Sequence, residues 1–102
     1  MNNNTLLHPW IHSRWSFGVL LWEIFSFGGS PYPGLPMKEL FSFLEEGERM
    51  DCPEICPNEI YKIMQDCWKR SPYERPMFEQ ITERITKCME QHGQNVSIIT
   101  YS

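Results

Sequence analysis

This sequence has no segment with the composition of a membrane span or of a secretory signal. Its longest strongly apolar stretch, residues 15–27, includes Glu23 and falls short of the roughly 20 apolar residues that a spanning helix needs. The first eight residues have neither a cationic start nor the apolar core of a signal peptide. We therefore expect a cytoplasmic chain without a membrane segment, in which the apolar stretch is buried in a protein core.

Clusters of a single charge sign are also missing. The chain carries 9 Lys and Arg against 13 Asp and Glu, a formal net charge of −4, and has no run of five or six like charges. Duplex nucleic-acid binders usually present a basic face, so this balance argues against a nucleic-acid partner. With 102 residues, 41% of them hydrophobic, the chain has the material for the core of one domain.

The spacing of the four cysteines leaves one alternative open. The pairs Cys52-x3-Cys56 and Cys88-x3-His92 fall within the range of zinc-ligand spacings, so a small independent helical or zinc domain has to be considered. The favoured interpretation is reduced thiols, because no secretory signal is present. Cys67 and Cys88 lie on apolar faces of predicted helices, where cysteine commonly acts as a small hydrophobe.

No set of side chains suggests catalysis. The three histidines have no Ser, Cys or Asp companion in the pattern of a triad, and three candidate carboxylates form no convincing acid/base pair. Tyr32 and Tyr61 are expected to be packing residues, whereas Tyr101 is expected to be the most accessible tyrosine. The histidines are His8, His12 and His92, and the carboxylates are Asp51, Glu54 and Asp66.

Hydrophobic periodicity predicts an all-α fold of four helices. We expect the first over residues 15–27, ended by the glycines at 28–29, and the second from Pro36 to Gly47. The third is expected over residues 57–70, and the fourth from 75 or 76 to 91. Their predicted inward residues are Met37, Leu40, Phe41 and Leu44; Ile60, Ile63, Met64, Cys67 and Trp68; and Phe78, Ile81, Ile85, Cys88 and Met89.

The first predicted helix is too apolar for its surroundings. Nine of its residues leave almost no polar face, and a helix that is apolar all round must be buried all round. Leaving ~400 Å² of that surface exposed forgoes roughly 10 kcal/mol, which is comparable with the whole stability of a domain. The chain therefore either pairs with something or is a piece of something larger. The nine residues are Trp15, Phe17, Val19, Leu20, Leu21, Trp22, Ile24, Phe25 and Phe27.

Blocks of this sequence resemble the large lobe of protein-tyrosine kinases. Residues 15–24, W-S-F-G-V-L-L-W-E-I, resemble its central helix, and residues 27–34, F-G-G-S-P-Y-P-G, resemble the loop of tyrosine-specific members. The stretch E-R-M-D-C-P at 48–53 and the closing D-C-W at 66–68 with R-P-M-F at 75–78 follow in the family's order. The chain thus resembles the C-terminal part of the lobe in receptor-type kinases, most closely the fibroblast-growth-factor-receptor and Ret-like groups.

The resemblance implies a division of the chain and structural roles for certain residues. It implies an unmatched segment at 1–14, a partial kinase domain at 15–91 and a flexible tail at 92–102. It implies no catalytic, cofactor-binding or metal-binding residue. The residues with implied structural roles are Trp15, Gly18, Trp22, Glu23, Pro31, Tyr32, Pro33, Gly34, Cys67, Trp68, Arg75 and Pro76.

Two positions bear on parts of the family that this sequence does not show. In the family an aspartate precedes the position of Trp15 by two residues, and here that residue is Ser13. The arginine matched by Arg75 pairs in the family with the glutamate of an "A-P-E" segment, which is absent from this sequence. We therefore expect Arg75 to be an exposed residue at a helix start, satisfied by water.

The motifs of phosphoryl transfer do not occur in the sequence. It contains no G-x-G-x-x-G loop, no V-A-I-K-like lysine, no H-R-D and no D-F-G. The resemblance implies ATP, magnesium and protein tyrosines as cofactors and substrates of the complete kinase only, with none bound by this chain. We expect an inactive kinase fragment whose partner is the remainder of a kinase domain or a chaperone. The alternative is a non-catalytic module that binds a kinase or chaperone through its apolar helix.

Overall fold

The computed structural model of this chain describes residues 13–91. This range contains four α-helices, α1 (Ser13–Phe25), α2 (Met37–Glu45), α3 (Asn58–Cys67) and α4 (Phe78–Gln91), with a 3-10 helix at Pro72–Glu74. It contains no strand, so the prediction of an all-α fold is confirmed. Most of the segment 1–14 and the whole predicted tail 92–102, with His8, His12, His92 and Tyr101, lie outside the described residues.

The end of α1 differs from the prediction by two residues. Phe27 takes a left-handed conformation (φ 58°), and its backbone N–H donates to the carbonyl oxygen of Ile24. The N–H of Gly28 then reaches the carbonyl oxygen of Glu23 at 2.8 Å. This pair of bonds is the Schellman pattern, so the helix is closed by a phenylalanine in the position that glycine usually occupies.

Pro36 and Pro57 stand immediately before the helices that they were predicted to begin. Pro36 is the N-cap residue of α2, and Pro57 is that of α3. At its other end α3 stops at Cys67, three residues before the predicted end, because Trp68 leaves the helical conformation while its N–H still bonds to Met64. The 3-10 helix was not predicted.

The centre of the molecule is α3, which packs against α1 on one side and α4 on the other. All five residues predicted to face inward from α3, at positions 60, 63, 64, 67 and 68, are fully buried. At Gly18 the backbone of α1 comes so close to α3 that an added Cβ would lie 2.7 Å from Nε1 of Trp68. The prediction from periodicity was therefore correct where the helix has neighbours on its whole apolar face.

For α2 and α4 the predicted set of inward-facing residues was only partly correct. On α2 only Leu44 is buried, whereas Met37 is 80% exposed and Phe41 is also exposed. On α4 the inner positions Ile81 and Cys88 are buried, but Phe78 is exposed at the helix start. The reason is that α2 contacts the described core only through its inner side, with Leu44 buried and Leu40 packed against the core, so Met37 and Phe41 remain exposed.

One face of α1 lacks cover from the described part of the chain. Leu20 and Ile24 are 48% and 57% exposed, although they lie on the most apolar of the described helices, and Phe27, just beyond the end of that helix, is 81% exposed. We call these three residues the open face of α1. The expectation that the surroundings of this helix are incomplete is thus confirmed for residues 13–91. None of the helices in that range combines the length and apolar character needed to cross a bilayer.

Candidate functional site

Trp15, near the start of α1, is the centre of a cationic cluster. Its ring is buried, and two guanidinium groups lie over it. The Cζ atoms of Arg49 and Arg75 are 5.1 Å and 5.0 Å from the ring centroid, within the range of cation–π attraction. Arg14 belongs to the same group because its Nη1 donates to the backbone carbonyl oxygen of Arg75. We call Arg14, Trp15, Arg49 and Arg75 the arginine–tryptophan cluster.

Arg75 is buried, which contradicts the expectation of an exposed residue satisfied by water. Only 3% of its surface is exposed. Its Nε donates to the carbonyl oxygen of Lys69 at 2.8 Å, and its Nη2 donates to that of Arg70 at 3.2 Å. The prediction was wrong because the chain after α3 folds back over the guanidinium and presents backbone carbonyls to it. Burial lowers the pKa of Arg75 to about 10, and the nearby charges of Arg14 and Arg49 add to the decrease.

Arg49 ties the ends of two helices together. Its Nε donates to the carbonyl oxygen of Trp68 at 2.8 Å, and its Nη1 donates to those of Leu44 and Glu48 at 3.1 Å and 2.7 Å. These carbonyls lie at or just beyond the C-terminal ends of α2 and α3, where a cation interacts favourably with the helix dipole. Burial lowers the pKa of Arg49, and the interaction with Tyr32 opposes that change. Arg49 is therefore a structural clamp as well as a member of the cluster.

Arg14 connects the start of α1 to the segment before α4. Its Nη1 donates to the carbonyl oxygens of Arg75 and Pro76 at 3.2 Å and 3.4 Å, and its Nη2 donates to that of Pro72 at 3.4 Å. The sequence reasoning did not select Arg14 or Arg49 as site residues. The partners of Arg14 lie about sixty positions away, so no local pattern signals these contacts; an arginine beside a tryptophan was the only hint.

Three guanidinium groups of like sign therefore share one part of the molecule. Their repulsion contributes to the lowered pKa of Arg75, and a carboxylate placed nearby would relieve it. Beside Arg75 lies a cavity of about 400 Å³, whose lining also includes the cationic residues Lys69 and Arg84. Asp66 and Glu74 line the same cavity, and Asp66 pairs with Arg84 at 2.9 Å. The lining of this cavity therefore carries charges of both signs.

A second cavity, of about 300 Å³, lies under the loop between α1 and α2. Its walls include Trp22, Tyr32 and Phe43. The ring of Tyr32 meets that of Phe43 edge-on at 6.3 Å, and the Nε1 of Trp22 donates to the carbonyl oxygen of Asp51 at 2.9 Å. Tyr32 and Gly34 both have positive φ, 51° and 76°, which gives the loop its tight course. Burial raises the pKa of Tyr32. The expectation that Tyr32 packs against its neighbours is confirmed.

Ten of the twelve residues with implied structural roles fall into three groups in space. The other two lie near the end of α1 and in the loop that follows it. Trp15, Arg75 and Pro76 belong to the arginine–tryptophan cluster or contact it, Gly18, Cys67 and Trp68 form the close contact of α1 with α3, and Trp22, Tyr32, Pro33 and Gly34 line the second cavity. The other two are Glu23, whose carbonyl oxygen accepts the bond that closes α1, and Pro31, which is half-buried in the loop.

The zinc alternative gains no support from the described residues. Among residues 13–91, no group of three or more His, Cys, Asp or Glu side chains is arranged to hold a metal ion. All four cysteines are free thiols, of which only Cys52 is exposed. His92, the fourth proposed ligand, lies outside the described range.

Comparison with known proteins identifies the family. A family model described as protein tyrosine and serine/threonine kinase matches residues 13–85. This match covers more than half of the chain, so the chain belongs to the protein tyrosine and serine/threonine kinase family.

Two relatives within the family show which group of kinases the chain is similar to. The chain is 59% identical over 75 residues to fibroblast growth factor receptor 1 of Xenopus laevis and also to that of Pleurodeles waltl. Each alignment covers 74% of this chain but only 9% of the receptor. The chain therefore spans only a small part of the length of these receptors, and its resemblance to the fibroblast-growth-factor-receptor group is confirmed.

Proposed function

We propose that this chain has no kinase activity by itself and acts as the C-terminal helical floor of a larger tyrosine kinase domain. The observation that carries this proposal is the open face of α1. Leu20 and Ile24 lie on a helix with almost no polar face, and Phe27 follows its end. Large exposed apolar surfaces on a folded chain mark contact sites. In the complete kinase, ATP with magnesium would phosphorylate protein tyrosines, using residues that this sequence does not contain.

The positive charge of the arginine–tryptophan cluster is a second observation that supports the same proposal. Arg75 is buried and lies close to Arg14 and Arg49, an arrangement that favours an approaching carboxylate. The kinase resemblance supplies such a group, the glutamate of the "A-P-E" segment. We therefore propose that this glutamate enters beside Arg75 in the complete domain.

We also propose a division of the chain into three segments and a location in the cell for the kinase portion. We take residues 15–91 as the kinase portion, 1–14 as the segment that precedes the blocks resembling kinases, and 92–102 as a tail. In a receptor-type parent, this portion would lie on the cytoplasmic side of the membrane. Its partner would be the remainder of the kinase domain, with a chaperone as the other candidate.

A complementation experiment tests the proposal. The full chain is assayed with ATP, magnesium and a tyrosine peptide, alone and after co-expression with the preceding part of a fibroblast-growth-factor-receptor kinase domain. We expect no phosphorylation by the chain alone, and a stable complex with measurable phosphorylation after co-expression. The control is the double variant L20K/I24K, which is expected to lose the complex because lysines on the open face of α1 cannot be buried there.

Two results would contradict the proposal. Phosphorylation by the pure chain would show that it contains its own catalytic residues. Complex formation that is unchanged in L20K/I24K would show that the open face of α1 is not the contact surface. A non-catalytic interaction module would be supported if the chain alone bound an intact kinase saturably through that face.

A further inference from the structure

Cys52 and Cys56 lie together at a tight turn between α2 and α3. The backbone N–H of Cys56 donates to the carbonyl oxygen of Pro53 at 3.0 Å, and this bond closes the turn. The Sγ of Cys52, one residue before the turn, donates to the carbonyl oxygen of Cys56 at 3.7 Å. Cys52 also lies close enough to raise the pKa of the Cys56 thiol. The turn thus holds two thiols side by side.

The geometry of this turn suits a covalent bond between the sulfurs. The ends of this β-turn, Pro53 and Cys56, are less than about 7 Å apart at their Cα atoms, and Cys52 directly precedes Pro53. Disulfides join residues whose Cα atoms are about 4.4–6.8 Å apart. Neither Cys67 nor Cys88 can meet an oxidant from solvent first, because both are buried within the helical core.

The two thiols differ in their access to solvent, and this difference sets the order of reaction. Cys52 is exposed, whereas only 7% of Cys56 is exposed. Burial raises the pKa of the Cys56 thiol to about 12, and the neighbouring Cys52 adds to the increase. An oxidant arriving from solvent therefore meets Cys52 first, and Cys56 reacts second.

We propose that Cys52 and Cys56 form a reversible dithiol–disulfide modification site whose substrates are low-molecular-weight disulfides, with oxidised glutathione as the test case. The Cys52 thiolate attacks one sulfur of oxidised glutathione, forming a mixed disulfide and releasing one glutathione thiolate. Cys56 loses its proton to solvent and attacks the Cys52 sulfur, which releases the second glutathione thiolate. The chain gives up two electrons and two protons, and one oxidised glutathione becomes two reduced molecules.

The resulting bridge would fasten the turn next to the start of α3. Cys56 precedes Pro57, the N-cap residue of that helix, and the hydroxyl of Tyr61 donates to the carbonyl oxygen of Met50 at 2.7 Å just before the turn. The bridge would therefore join two parts of the chain that the fold already holds together. This inference is independent of the proposed kinase function, because its test requires no partner and no ATP.

Peptide mapping of the full chain tests the proposal directly. The reduced chain is incubated with oxidised glutathione, its free thiols are blocked with N-ethylmaleimide, and it is digested with trypsin. Cleavage after Arg49 and Lys62 releases residues 50–62, which contain Cys52 and Cys56 and no other cysteine. We expect this peptide to be two hydrogens lighter than its reduced form, with no glutathione or maleimide attached, and to recover both thiols after treatment with dithiothreitol.

Two single variants separate the steps. In C56S the glutathione adduct on Cys52 should persist, because the second thiol is missing. In C52S, Cys56 should remain reduced and acquire no adduct, because it is buried. A lasting glutathione adduct in the wild-type chain, or two maleimides on peptide 50–62, would overturn the proposal.

A denatured control tests whether the fold, and not mere proximity in sequence, pairs the thiols. The same reaction is run with the chain unfolded in urea. We expect the bridge to form at least about tenfold faster in the folded chain, because positioned groups react as if at a high effective concentration. Equal rates in the two conditions would overturn the assignment of this site to the folded structure.

Discussion

Gly18 is the residue at which α1 and α3 come closest together. Its position leaves no room for a side chain, because a Cβ there would lie 2.7 Å from Nε1 of Trp68 and 2.9 Å from the Cβ of Cys67. Neither neighbour can move easily, since both are fully buried in the core. The close packing of α1 against α3 therefore requires a residue without a Cβ atom at position 18.

Substitution of Gly18 by alanine should destabilise the chain despite alanine's higher helix propensity. We expect the free energy of unfolding to fall by roughly 1–3 kcal/mol, the usual cost of overpacking a core, as measured by urea unfolding followed by circular dichroism. The matched control is S16A, an exposed position on the same helix, which should be neutral or slightly stabilising. Equal stability of G18A and S16A would contradict the close contact of α1 with α3.

The buried thiol of Cys67 should make the fold sensitive to alkaline pH. Burial raises its pKa from 9.0 to about 11, with the charge of Asp66 adding to the increase. Because the folded-state pKa is the higher one, the neutral thiol stabilises the folded chain fully below about pH 9, and this contribution is lost as the pH rises to about 11. We expect an alkaline loss of roughly 2–3 kcal/mol in the free energy of unfolding.

A C67A variant isolates this effect from the titration of the tyrosines. It should be less stable than the wild type at pH 8, because the Sγ no longer fills its place. Its stability should then decline less between pH 9 and pH 11 in the same urea titrations. An unchanged pH dependence in C67A would show that other groups cause the alkaline loss.

At the scale of the helices, single arginines each join several elements at once. Arg75 binds the carbonyls that follow α3 and also lies over Trp15 in α1. Arg49 binds the C-terminal ends of α2 and α3 and lies over the same ring. The planar, multiply donating guanidinium suits these contacts, whereas the ammonium group of lysine does not reproduce them.

Replacement of Arg75 by lysine should therefore disrupt the connection between α1 and the segment after α3. R75K keeps the charge but loses the fork that donates to Lys69 and Arg70, so we expect a loss of roughly 2–4 kcal/mol in the free energy of unfolding. The matched control is R70K, since Arg70 is exposed and pairs with Glu45 at the surface. R70K should change stability by less than about 1 kcal/mol. Similar losses for both variants in urea unfolding would contradict the structural role of the buried guanidinium.

At the scale of the whole molecule, the apolar surface of α1 is divided between a buried side and the open face. Leu21 is buried against the core, whereas Leu20 and Ile24, on the same helix, are exposed. Exposed apolar surface of this kind promotes association of a chain with itself or with a partner. The same helix therefore contributes to the core on one side and offers an apolar contact surface on the other.

Lysine substitutions should distinguish the two sides of α1. L20K/I24K should retain the far-ultraviolet helical signal and its melting midpoint while reducing self-association in sedimentation velocity, because the new charges remain in water. L21K should lose the cooperative melt, since burying an unpaired charge is strongly unfavourable. Comparable unfolding of both variants would show that the open face is covered in the isolated chain.

The sequence by itself determined the helix content, the inner face of α3 and the family. Periodicity within α3 placed all five of its inward residues correctly, because that helix has neighbours along its whole apolar face. The apolar character of α1 also indicated that its surroundings are incomplete. These features depend on the spacing of neighbouring residues, which a single sequence displays.

Only the tertiary structure decided which side chains meet across the chain. It buried Arg75, which the sequence had suggested to be exposed, and it brought Arg14 to carbonyls about sixty positions away. It left Met37 and Phe41 uncovered despite their regular spacing, because α2 contacts the described core only through its inner side. A local pattern specifies which face of a helix is apolar, but burial also requires a second surface, and the position of that surface depends on how distant segments fold together.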